Sequence, residues 1–262
     1  MKREITKAAM ILSLLIFGIL SLPGSPVSNS LFAASRQVPS PDPQYKGFAV
    51  IELFTSEGCS SCPAADELVA DIQKENPGKQ IYVLAFHVDY WDRQGWKDRF
   101  SNHEFTERQR LYSSWLNLET IYTPQVVVNG SAEYVGSDAP HILKAVSSGL
   151  GHDPANTLTV DCGIAGKKLT INYQSTATEK GDEVLLALVQ RSATTDVKGG
   201  ENTGRNLTHV QIVRRLVHAK PDSKKAVTLD LPPDFDPKDW QLVGLVQNSL
   251  NGHISAATKF DF

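Results

Sequence analysis

Cys59 and Cys62, with only Ser60 and Ser61 between them and Pro63 directly behind, are the residues whose types and spacing speak first of chemistry. Such a C-x-x-C pair can exchange electrons with other thiols, supply half of a metal site, or close a short structural disulfide. Covalent haem attachment needs a histidine after the second cysteine, and Pro63 holds that position. Structural zinc needs two further ligands at suitable spacing. Cys162, the remaining cysteine, is distant in sequence and His87 falls inside an apolar stretch, so no metal is expected. What stays open is whether the pair is redox-active or an inert cross-link.

The elements around the pair decide how it is presented. "FAVIELF", Phe48 to Phe54, is a near-continuous apolar run and reads as a strand buried on both faces. Pro63 suits the first turn of a helix whose apolar stripe is Ala65, Leu68, Val69 and Ile72, before Asn76, Pro77 and Gly78 stop it. A cysteine just ahead of a helix N-terminus faces unsatisfied N–H groups and the positive end of the dipole, which favour the thiolate. Cys59 is therefore expected to be the exposed nucleophile, and Cys62, one turn in, the thiol that resolves a mixed disulfide. The two serines add no charge in favour of the thiolate, and Glu57 opposes it. Glu52 is the one acid inside the strand: it either relays protons to Cys62 or reaches solvent at the sheet edge.

A second buried strand follows at Ile81 to Val88, then an amphipathic helix from about Glu104 to Asn117 with Phe105, Tyr112, Trp115 and Leu116 on one side. "PQVVVNGSAEYVG" reads as a hairpin turning at Asn129 and Gly130. A last short helix, capped by Ser137 or Asp138, runs through Ile142, Leu143 and Val146. In the loop "FHVDYWDRQGWKDRF", Tyr90, Trp91 and Trp96 either line a peptide groove near the disulfide or pack beneath the loop, with Asp89 and Asp92 fixing its turns. This order, with C-x-x-C at the first strand–helix junction, resembles the thioredoxin fold. The resemblance implies that Thr123–Pro124 is a cis-proline loop against the disulfide, and that Thr123, Pro124 and Trp91 bind an extended substrate.

From Thr157 onward seven candidate strands follow one another with Gly-, Pro-, Asp- and Ser-rich turns and no helical stripe. The expected architecture is therefore an α/β thioredoxin-like domain (47–152) followed by an all-β antiparallel sandwich domain (155–262). The second half contains no dinucleotide fingerprint, phosphate loop, nucleophile elbow or H-E-x-x-H. Its loop "GGENTGRNLTH" can turn Glu201, Asn202, Arg205 and His209 toward the first domain, in a structural role. Cys162 closes the alternation Leu158, Val160, Cys162 and is expected as a buried free thiol.

Compartment bears on the meaning of the cysteines. Basic Lys2, Arg3 and Lys7 precede the apolar run Ala8 to Leu20, and "NSLFAAS" follows, so residues 1–34 read as a cleaved signal peptide and 35–46 as an extended, proline-rich leader. An uncleaved anchor is the lesser alternative. Either way the body is expected to be secreted or periplasmic, and no other stretch is long and apolar enough for a membrane helix. Cleavage moves the formal charge from −3 to about −5, and a mildly acidic surface argues against a nucleic-acid partner. The strings "VIELFTSEGCSSCPAAD", "HVDYWD", "YTPQVVVNG" and "GENTGRNLTHVQIVRRL" are similar to those of a secreted bacterial family, domain of unknown function 1223. That resemblance implies a fold and an extracytoplasmic address, with no substrate or reaction attached. The leading expectation is a thiol-disulfide oxidoreductase acting on protein or small-molecule thiols and disulfides through Cys59 and Cys62 without a cofactor. The alternative is a redox-inert binding or assembly module with a structural disulfide.

Overall fold

The computed structural model describes residues 46–221 and 226–262; the expected signal peptide and nearly all of the leader lie outside them. The elements run β1 (Ala49–Thr55), α1 (Cys62–Glu75), β2 (Ile81–His87), α2 (His103–Trp115), β3 (Gln125–Val128), β4 (Ala132–Val135) and α3 (Ala139–Leu150). Strands follow: β5 (Leu158–Ala165), β6 (Lys168–Ser175), β7 (Asp182–Asp196), β8 (Asn206–Ala219), β9 (Val227–Asp230), β10 (Trp240–Asn248) and β11 (Ile254–Asp261).

The elements fall where the sequence patterns put them, but their assembly differs from the expected α/β thioredoxin-like domain and separate β-sandwich. One mixed eight-stranded sheet, in the order β11-β10-β7-β8-β2-β1-β3-β4, takes strands from both halves of the chain; β5, β6 and β9 form a small second sheet. The halves join where Ala85 of β2 pairs in parallel with Ile212 of β8. The reason lies in β7 and β10. Val184 to Val189 are all buried, and so is every residue of β10. A two-layer sandwich leaves one face of each strand wet, whereas strands apolar on both faces need cover on both.

That cover comes from different elements. On one face, Val50, Phe54, Tyr82, Leu84 and Phe86 share a core with Leu185, Val189, Val213 and Val243, beneath Phe105 and Tyr112 of α2. The other face is divided. Ile51, Leu53, Val83 and Val126 pack under α1 and α3, while Leu186, Leu188 and Leu242 pack against Leu169, Ile171 and Tyr173 of the small sheet. Among the described residues no helix is long and apolar enough to cross a membrane.

Candidate functional site

Cys59 and Cys62 are joined as a disulfide. Cys62 opens α1, and Ser61 holds the N-cap position in a helical conformation without a side-chain cap bond. Its hydroxyl lies 3.4 Å from the Cys59 sulfur instead. Ser61 thus bears on the chemistry of Cys59 although it carries no charge that a sequence pattern would announce. Both cysteines are buried, Cys59 at 1% and Cys62 at 0% exposure, so the expected exposed nucleophile is corrected to a covered one. The cover comes from the connection between β7 and β8. Asn202 is fully buried and donates to the backbone carbonyls of Glu57 and Cys59, each at 2.9 Å. Glu201 accepts from the Ser60 N–H at 2.9 Å.

Trp91 adjoins Gly58 of the cysteine loop, and Thr123 adjoins Trp91. The Thr123–Pro124 bond is cis. The Trp91 indole N–H donates to the Thr123 hydroxyl at 2.7 Å, while its Cβ lies 3.3 Å from where a Cβ on Gly58 would stand. Gly136 seats the proline loop on α1, since an added Cβ there would lie 2.7 Å from the Cβ of Pro124 and 2.8 Å from that of Ala65. The loop carrying Trp91 is fixed by its acids: Asp92 accepts from the Asp98 N–H and the Ser101 hydroxyl, and Asp89 from Thr106. The Trp96 indole donates to buried Glu57 at 2.7 Å.

Glu52 takes neither expected role. Side chains alternate along a strand, and Glu52 shares the α2 side with Val50 and Phe54, whereas α1, which Cys62 opens, packs on the opposite side with Ile51 and Leu53. Nor does it reach solvent, being fully buried. Arg108 of α2 holds it through Nε at 2.6 Å and Nη2 at 2.7 Å, and the Tyr112 hydroxyl donates to it at 2.5 Å. Gln247 of β10 contacts both Arg108 and Tyr112. This is a buried ion pair tying α2 to two strands. Burial alone would lower the Arg108 guanidinium, but Glu52 outweighs it and holds the cation firmly charged.

The ionisable groups on the α1 side are others. Asp66, His87 and His209, from α1, β2 and β8, are all buried and bring their donor atoms within 4.8 Å of one another. His87 Nδ1 lies 2.6 Å from Asp98, which also accepts from the backbone of Glu57 and Phe100. Burial raises the Asp98 carboxyl, but His87 and those N–H groups override it and hold it below the usual range. His209 sits between Glu57 at 3.5 Å and Asp66 at 3.6 Å. Burial disfavours its cation, yet these carboxylates prevail and raise it to about 9. In the sequence His87 reads as a strand interior and His209 as part of a structural loop; the signal for a cluster is that both histidines, and three acids, lie beside apolar strands that must bury them.

Cys162 remains a free, half-buried thiol on the apolar side of β5, with burial first and Asp161 second pushing it up to about 12.

Among solved structures, the chain is similar to protein AGR_C_4864 from Agrobacterium tumefaciens, at 30% sequence identity and a TM-score of 0.60, covering 81% of this chain and 93% of that one. It is also similar in fold to HBP35 of Porphyromonas gingivalis, at 14% identity and a TM-score of 0.57, covering 83% and 76% of the respective chains. No curated protein matches. The model of the family described as "Protein of unknown function (DUF1223)" matches residues 50–247, and the chain belongs to that family.

Proposed function

We propose that this protein is an extracytoplasmic thiol-disulfide oxidoreductase acting through Cys59 and Cys62. The observation that carries the reading is the disulfide at the uncapped N-terminus of α1, where the Ser61 hydroxyl reaches the Cys59 sulfur. In the reduced protein that hydroxyl and the first N–H groups of α1 stabilise the Cys59 thiolate. The thiolate attacks one sulfur of a substrate disulfide, forming a mixed disulfide and releasing the other sulfur as a thiolate. Cys62, deprotonated, then attacks Cys59, so that two electrons pass to the substrate and the Cys59–Cys62 bond reforms. With an oxidised protein and a dithiol substrate the same steps run in reverse. Trp91, Thr123 and Pro124 form the flank along which an extended substrate would lie. Access requires the β7–β8 connection to withdraw, because Asn202 and Glu201 hold it on residues 57–60.

The signal-like N-terminus supports the oxidising address in which such exchange takes place. The burial of both cysteines favours a second reading, an inert structural cross-link in a binding or assembly module. Single serine variants separate them. Cys62→Ser is expected to accumulate mixed disulfides through Cys59 with a thiol-bearing protein or glutathione, and Cys59→Ser to accumulate few. No adduct with either variant, both remaining folded, contradicts the redox reading.

A further inference from the structure

We propose that Asp66, His87 and His209 form a binding site for a divalent transition-metal ion such as zinc. The three side chains come from three elements and are 4%, 0% and 2% exposed. Asp66 and His87 each have one polar atom engaged by a neighbour and another, buried, without a hydrogen-bond partner, and both ring nitrogens of His209 lack one. Asp66 Oδ2 accepts from Thr55 at 2.9 Å, leaving Oδ1 unpartnered. His87 Nδ1 is taken by Asp98 at 2.6 Å, and its Nε2 is buried without a hydrogen-bond partner. His209 Nε2 faces Glu57 Oε1, with Nδ1 turned to Asp66 Oδ1. His87 thus carries a carboxylate against the nitrogen not offered to the ion, the arrangement that orients metal-ligating histidines.

Distance favours an ion over direct contact. Hydrogen bonds of this type span about 2.7–3.2 Å. The 3.6 Å between His209 Nδ1 and Asp66 Oδ1 is instead close to the separation of roughly 3.4 Å between two ligands of tetrahedral zinc, given metal–ligand bonds of about 2.0–2.2 Å. Charge points the same way. Three buried carboxylates, Glu57, Asp66 and Asp98, face two imidazoles, and uncompensated buried charge is costly. A divalent cation, displacing the His209 proton as it binds, adds further positive charge against them. Two nitrogens and one carboxylate oxygen suit zinc and its neighbours rather than calcium or magnesium, and three protein ligands leave a position open. Asp66 and His209 also line a cleft of about 310 Å³ between α1 and β8, bordered by Pro63, Glu67, Arg205 and Leu207, which supplies an entry path.

The site uses neither cysteine, so it stands or falls apart from the redox reading. The test uses the oxidised chain carrying Cys162→Ser, stripped with a chelator and titrated with zinc chloride in a calorimeter. Binding of one equivalent is expected, weakened at least about tenfold by Asp66→Asn or His209→Gln, and about 10–100-fold by Asp98→Asn, which touches only the orienting carboxylate. Because a variant can fail to fold, X-ray absorption of the zinc-loaded parent serves as the second measurement. Two imidazoles with oxygen and no sulfur are expected in the first coordination sphere. No stoichiometric binding, undiminished binding in folded Asp66→Asn, or sulfur ligation overturns the proposal.

Discussion

At the scale of single residues, the three cysteines divide by environment. The N-terminus of α1 and the Ser61 hydroxyl favour the thiolate of reduced Cys59. Cys162 has the opposite surroundings: burial and the adjacent Asp161 raise its thiol to about 12, so it is almost wholly protonated at neutral pH. In the reduced protein at pH 8, iodoacetamide is therefore expected to modify Cys59 well before Cys162, with mass mapping as the readout; preferential labelling of Cys162 contradicts this. The pair was legible from spacing alone, and the Thr123–Pro124 bond is cis as the fold resemblance implied. Glu52 was not legible. An acid in an apolar strand announces a need for a partner but not which face it points to. Only the packing of α2 revealed Arg108 and Tyr112, one turn apart, as that partner.

At the scale of elements, two contacts carry testable energy. Asn202 clamps the β7–β8 connection to the cysteine loop with two hydrogen bonds from a fully buried amide. Asn202→Ala removes both, each worth about 0.5–1.5 kcal/mol net, so local opening and the alkylation rate of reduced Cys59 are expected to rise roughly tenfold. An unchanged rate means the loop does not govern access. The second contact is the Glu52–Arg108 pair. Arg108→Met leaves a buried carboxylate uncompensated and is expected to cost about 3–5 kcal/mol in urea unfolding. Glu52→Leu combined with Arg108→Met removes both charges and is expected to recover much of that loss. If the double variant is no more stable than the single, the pair is not the source. The sequence marked the loop around Asn202 as structural, and the structure adds its target, the residues flanking Cys59.

At the scale of the whole molecule, strand positions were readable and their partners were not. Each apolar run after Thr157 became a strand, yet two of them lack the alternation a sandwich strand shows. "VLLALV" (184–189) and "LVGLV" (242–246) are apolar without a break, the pattern of strands covered on both faces, and such strands extend a large sheet rather than close a small sandwich. Parallel pairing of β2 with β8 joins residues far apart in sequence, and no local pattern encodes it. Removing residues 155–262 strips β2 of this neighbour and uncovers the core shared by Tyr82, Leu84 and Phe86 with Leu185 and Val213. The remaining fragment is expected to aggregate or bind a hydrophobic dye strongly; a folded, soluble monomer by circular dichroism and sedimentation contradicts the shared core. All of these bear on a protein whose central claim concerns one bond. The direct measurement is the reduction potential of Cys59–Cys62 in glutathione or dithiothreitol buffers, with the fold monitored alongside. Exchange chemistry requires a potential above about −300 mV and a reduced form that stays folded. A lower potential, or unfolding on reduction, contradicts the account and leaves the disulfide as a structural cross-link.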